Sequence, residues 1–243
     1  MTYYSHSVST AGAVAALVVA TAPDAVSQSA DLLWLPISGR QALAWTLVAL
    51  HQLGDLGYCG IVTPADRYDD VSRMIIHEAP ARMSGIFPRA ESTWRSAFPP
   101  IEIIPPMCEW IVVLDAALPL VTVDVIRSGL CAAERTGVAM AGEPVKETLK
   151  RVDGAVVMET LPRDALRRLL TPVVFHRDAL KRALDAYDPS RDDANNLVAL
   201  TRLAGVPVTV FDAGYPAVRV TSEDDLAIVE TLLRQRESEA SPS

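Results

Sequence analysis

The sequence predicts a doubly wound α/β domain, a parallel-rich mixed sheet with helices on both faces. Two observations predict it. Apolar runs of strand length alternate with stretches of helical periodicity along most of the 243 residues, the pattern that builds successive βαβ units. Several of those runs are apolar at every position, which is how a strand reads when both its faces are covered. A third observation adds a feature of its own: residues 147–160, ETLKRVDGAVVMET, break the alternation.

Taken in order, residues 13–20 (AVAALVVA) read as a buried first strand and 41–53 as a helix with apolar residues at helical spacing. A short strand at 60–63 and a helix at 67–77 follow. The segment 80–109 is punctuated by Pro88, Pro99, Pro100, Pro105 and Pro106 and reads as mostly loop. A strand at 110–114, a helix at 123–135 and a strand at 137–141 come next. Helices are expected at 178–187 and 195–204, a strand at 206–211 and a closing helix at 223–234. Residues 1–236 thus form one domain, and the small polar residues 237–243 read as a flexible tail.

Within 147–160 two strand-like runs flank Asp153-Gly154, a pair favoured in tight hairpins. A lone two-stranded ribbon is marginal in water. Its apolar residues Val152, Val156, Val157 and Met158 therefore need a partner surface. Pattern alone leaves open whether the hairpin folds back on its own sheet or extends as a dimerisation arm.

Composition narrows the function classes. Half of the residues are hydrophobic and 21% are charged, which excludes a disordered chain. A net charge of −8 argues against a nucleic-acid surface, which needs a basic patch. The run 11–22 has the look of a signal core, but no Lys or Arg precedes it and it is too short to span a membrane, so the first strand is the preferred reading. Cys59, Cys108 and Cys131 form no C-x-x-C pair and read as core residues of a protein in a reducing cytoplasm. His51, His77 and His176 lack ligand spacing, and Trp34, Trp45, Trp94 and Trp110 read as core residues.

Chemistry is expected where an Asp leaves a buried strand, at Asp115 in LDAALP (114–119), because ligands of open α/β sheets sit outside the carboxyl ends of the strands. Further motifs follow in order: ETLKR (147–151), PRDAL (162–166), LTPVVF (170–175), RDDA (191–194) and VRVTSEDDL (218–226). Together with LPISGRQAL (35–43), this series resembles the 2-C-methyl-D-erythritol 4-phosphate cytidylyltransferases, enzymes of the non-mevalonate isoprenoid pathway. The resemblance is good over 110–234 and weaker before it. It implies a nucleotidyltransferase-type (Rossmann-like) fold and a homodimer joined by the 147–160 arm. By the same resemblance Thr148, Arg163, Thr171 and Arg219 bind a substrate phosphate, partly across the dimer, and Asp115 is a ligand for Mg²⁺. Arg219 stands where the family has Lys and keeps the charge.

The nucleotide half departs from the pattern. The family's chemistry is attack by a substrate phosphate on the α-phosphorus of CTP, so cations and backbone donors must gather two anions. The family supplies them from a glycine-rich loop of type A-A-G-x-G-x-R followed by P-K. Here residues 20–36 read ATAPDAVSQSADLLWLP, with no Gly, Arg or Lys. Asp31 and Leu32 fall at the P-K positions, Asp24 and Asp31 repel a triphosphate, and the first Lys of the chain is Lys146. Leu114 and Leu118 replace the family's His and Arg beside Asp115, and Pro216-Ala217 replace its D-N. PRAESTWRSA (88–97) gives no clear equivalent of its cytosine-binding segment. Arg67, Arg73, Arg89 and Arg95 are the cations placed to compensate. Two readings follow, with no intact catalytic set under either at the matched positions. One is a catalytically impaired paralogue that keeps fold, dimer and a pocket for a small phosphorylated ligand. The other is an active nucleotidyltransferase acting on CTP and a sugar-alcohol phosphate.

Overall fold

An all-apolar stretch forms a strand that is buried on both faces, and AVAALVV does so as β1 (Ala13–Val19), with six of its seven residues buried. The computed structural model describes residues 13–20, 32–78, 83–89, 98–188 and 197–240. The elements after β1 are β2 (Pro36–Ile37), β3 (Arg40–Gln41), α1 (Ala42–His51), β4 (Leu56–Pro64), α2 (Tyr68–Glu78) and β5 (Met83–Arg89). Then come β6 (Cys108–Asp115), α3 (Val123–Ala133), β7 (Val138–Pro144), β8 (Lys150–Asp153), β9 (Val156–Thr160) and β10 (Arg167–His176). The chain closes with α4 (Arg177–Ala186), α5 (Leu197–Leu203), β11 (Thr209–Asp212) and α6 (Glu223–Ala240).

Seven strands make one sheet in the order β11-β7-β10-β6-β1-β4-β5. β1 pairs in parallel with both β4 and β6, and β4 with β5. β10 alone runs antiparallel, between β6 and β7. The chain winds outward from β1 to β5, returns, and winds outward again from β6, so the crevice between β1 and β6 is the switch point of a doubly wound sheet. Alternation along β1 divides the core. Val14, Ala16 and Val18 face Leu43, Leu47 and Leu50 of α1 and Ile126 and Leu130 of α3. Ala15, Leu17 and Val19 share the other face with Leu180 and Ala183 of α4. A third cluster gathers Leu33, Ile37, Ala117, Leu120, Val220, Val229 and Leu233 under α6.

The structure bears out the expected fold class and adds strands that the sequence did not announce. β10 was not expected because Pro172 interrupts it. The ladder slips between Leu170 and Val173, so the proline sits where no pairing bond is required of it. β5 lies inside the proline-rich segment read as loop. It is an edge strand, and an edge tolerates Pro88. The closing helix reaches Ala240, beyond the expected end at 234 and four residues into the expected tail. The polar residues there are good helix formers, and Arg236 Nη2 donates to Leu120 O at 2.9 Å, holding these turns to the body. Cys59 and Cys108 are buried, and burial pushes the Cys59 thiol up to about 12; Cys131 corrects the expectation, lying exposed on the outer side of α3. The RDDA motif at 191–194, Trp94, Arg95 and Asp31 lie outside the described residues.

The hairpin forms as β8 and β9, a two-stranded sheet separate from the main one. Asp153 pairs with Val156, so the turn is Gly154-Ala155, one residue later than expected. Gly154 takes φ 57° and Ala155 does not follow it into the left-handed region, the pattern of a type II′ turn. All nine strand residues are exposed, which rules against a hairpin folded back on its own sheet.

One further contact shapes the entry to β6. Arg177, the first residue of α4, donates to the carbonyls of Ile101 (3.2 Å), Ile104 (2.5 Å), Pro105 (3.5 Å) and Cys108 (3.4 Å). Four main-chain carbonyls on the approach to β6 thus converge on one guanidinium.

Phe175 is fully buried near the C-terminal end of β10. Phe175→Ala is expected to cost about 3–5 kcal/mol of stability, read as a lower urea midpoint with an unchanged slope.

Candidate functional site

The switch point places Asp115 at the end of β6, paired in register with Val19 at the end of β1. Asp115 is buried, with 2% of the whole residue exposed. Burying a charge without compensation is costly, and two donors supply the compensation. Ala117 N–H donates to Oδ1 at 2.8 Å. Arg219 Nη1 donates to Oδ2 in a direct ion pair. The Asp115 N–H donates to Thr171 Oγ1 at 3.1 Å, joining β6 to the irregular turn of β10.

Arg219 arrives on the extended segment 213–221, which is itself pinned. Val220 N–H donates to Ala117 O at 2.8 Å and Ala213 N–H to Gly142 O at 3.2 Å. Arg168 bonds Glu143 Oε1 through Nε at 2.6 Å and Ala217 O through Nη2 at 2.8 Å. Tyr215 donates its hydroxyl to Thr171 O at 3.3 Å. Burial first, and then the charges of Asp115 and Glu143, push the Tyr215 phenol well above its usual range, so it stays a neutral donor.

Of the residues predicted from sequence, the structure therefore brings together Asp115, Thr171 and Arg219. Thr148 and Arg163 lie exposed at the base of the arm, where Arg163 Nη1 bonds Lys146 O at 3.2 Å. Among the described residues no hydrogen bond or ion pair joins either of them to the Asp115 group. Tyr215, Arg168 and Glu143 were not singled out from the sequence. Arg168 and Glu143 are cross-strand partners in register, a relation hidden while β10 itself was not expected.

The arginines placed to compensate for the missing loop cations have other contacts. Arg67 lies 5.8 Å over the Trp34 ring and bonds Asp70 at 3.5 Å, and Arg73 bonds Asp70 at 2.7 Å. Arg89 is buried at the end of β5. As for a metal, both Asp115 oxygens are engaged, and no group of three or more His, Cys, Asp or Glu side chains converges among the described residues. A magnesium ion takes carboxylate, phosphate and water oxygens, and the donor set as it stands does not fit one. No helix among the described residues is long and apolar enough to cross a membrane.

A doubly wound sheet with an Asp at its switch point and a protruding two-stranded arm is the architecture of nucleotidyltransferase-like domains. The chain belongs to the 2-C-methyl-D-erythritol 4-phosphate cytidylyltransferase family, whose model matches residues 14–235. It is 27% identical over 223 residues to the enzyme of that name from Dehalococcoides mccartyi, covering 91% of this chain and 96% of that one. It is 36% identical over 126 residues to the one from Bacillus cereus, covering 52% and 56%. Among solved structures, 4-diphosphocytidyl-2C-methyl-D-erythritol synthase from Anaerococcus prevotii superposes with a TM-score of 0.79 at 17% identity over 92% of this chain and 99% of that one. The Thermus thermophilus cytidylyltransferase superposes at 0.67 and 23%, over 90% and 98%.

The two halves of the ion pair are unequal, because Arg219 is 32% exposed and Asp115 only 1%. Arg219→Ala leaves a buried carboxylate alone and is expected to cost about 2–3 kcal/mol, below the value for a fully buried pair. Asp115→Asn leaves a cation that reaches water and is expected to cost less. Urea denaturation of both variants at neutral pH checks the order, and equal losses would contradict it.

Proposed function

We propose that this chain is a family member that has kept the domain, the arm and part of the phosphate site, and has lost cytidylyl transfer. The observation that carries the reading is the bare first loop: no Arg or Lys occurs before Arg40, and no Gly between Gly12 and Gly39. Transfer from CTP needs donors and cations around the α-phosphorus and the departing pyrophosphate. Removing one preorganised donor costs roughly 10²–10³ in rate, and an arginine that stabilises the transferring phosphoryl costs roughly 10³–10⁵. Losing a glycine cradle, an Arg and a Lys together leaves little, even without additivity. The engagement of Asp115 by Arg219 supports the same reading, because that carboxylate oxygen is already paired with a guanidinium.

The second reading, an active nucleotidyltransferase on CTP and a sugar-alcohol phosphate, is favoured by the family match from residue 14 to 235 and by the survival of Asp115. Calorimetric titration of CTP with Mg²⁺, followed by an assay of pyrophosphate release with methylerythritol phosphate, separates the two. The expected outcome is no CTP binding below millimolar and no turnover. Micromolar CTP affinity, or pyrophosphate release abolished by Asp115→Ala, overturns the loss of transfer.

The reading also includes a homodimer through the arm. Val152, Val156, Val157 and Met158 are each more than half exposed on a ribbon that is a sheet separate from the main one. Such a ribbon gains stability from a matching surface. Sedimentation at micromolar concentration is expected to give twice the chain mass of 26.2 kDa, and Val157→Asp to give the single mass. A monomeric parent chain counts against the arm as the joint.

A further inference from the structure

The Asp115–Arg219 pair has a geometry that bears on ligand choice. Asp115 is locked: its side chain is buried, Oδ1 is held by Ala117 N–H and its own N–H is held by Thr171. Arg219 is nearly as constrained, because the main chain on both sides of it is tied, at Val220 to Ala117 O and at Ala217 to Arg168. The neighbouring cation, Arg168, is likewise paired with Glu143. The accessible side of Arg219 therefore presents a guanidinium whose charge is already balanced from behind.

We propose that Asp115 acts as an internal counter-anion that sets the selectivity of this site: it occupies Arg219 and disfavours small phosphate-bearing ligands at the point where the chain retains a cation. This assigns Asp115 a role opposite in sign to that of a carboxylate recruiting a magnesium phosphate. A ligand oxyanion on the outer side of Arg219 has the Asp115 charge about 5 Å behind it, worth roughly a hundredfold in affinity at an effective dielectric of about 20. Screening at the partly exposed arginine reduces this to about tenfold.

The test uses the full chain and inorganic phosphate. Asp115→Asn preserves size and the Oδ1 acceptor for Ala117 N–H, and removes the charge. Phosphate is titrated against the arginine side-chain Nε–H resonances, with Arg219 assigned by its loss in Arg219→Gln. The expected result is about tenfold tighter phosphate binding in Asp115→Asn than in the parent, with the Arg219 resonance moving, and loss of the gain in Asp115→Asn/Arg219→Gln. Equal or weaker binding by Asp115→Asn overturns the proposal, as does a gain that persists in the double variant. If Asp115→Asn does not fold, the parent decides: an Arg219 resonance that shifts with submillimolar phosphate overturns the proposal, and one unmoved at that level upholds it. The outcome is distinguishable from failure of the functional reading. CTP turnover by the parent chain would overturn the loss of transfer without changing the phosphate titration of Asp115→Asn.

Discussion

A carboxylate buried at the end of a central strand has to be compensated, and here the residue that carries it is bound by three separate stretches of chain. Asp115 is met by the turn that follows it, by Thr171 on the antiparallel strand, and by Arg219 on the extended segment before the last helix. Each of these is held in turn by neighbours: Thr171 by the Tyr215 hydroxyl, the Arg219 segment by Ala117 and by the Arg168–Glu143 pair. The polar network ties the sheet edge to the C-terminal layer where hydrophobic packing alone would not specify how the segment 213–221 lies. Its members are mutually satisfied, which is the condition under which a buried polar network adds order rather than cost.

Family membership rests on the fold, and a fold does not by itself carry its family's chemistry. The fold depends on apolar alternation in β1, β4 and β6 and on helices that cover both faces, and these features persist from residue 14 to 235. The family's chemistry depends on a handful of charged and glycine positions in the loop after the first strand. Such a loop can lose its cations without unfolding the domain. Stability and catalysis are thus carried by different residues, and selection on one does not protect the other.

Much of the fold was legible in the sequence because the relevant signals were local. AVAALVV and WIVVL announce buried strands by continuous apolarity, and the Gly154 turn announces the hairpin to within one residue. β10 and β5 were not legible because each carries a proline, and whether a proline is tolerated depends on the pairing partner, which is not a local property. The site was half legible. Asp115, Thr171 and Arg219 were found through motifs, whereas Arg168, Glu143 and Tyr215 take their roles from cross-strand register and from a coil segment with no period. The mutual neutralisation of Asp115 and Arg219, separated by 104 positions, was likewise beyond any local signal.

The guanidinium of Arg177 has a consequence for the order in which the chain acquires its shape. It supplies the donors for carbonyls at 101–108, sixty-nine to seventy-six positions earlier. β10, which carries it to that place, inserts between two strands that are already synthesised. As the chain emerges from its N-terminus, the approach to β6 has only its local turn bonds, from Ile104 N–H to Ile101 O and from Cys108 N–H to Pro105 O, and the gap between β6 and β7 stays open. Contacts of such long sequence separation form late and slow the final closure. The half of the sheet built around β1, β4 and β5 is therefore a waiting platform, completed when a single strand and its arginine arrive together.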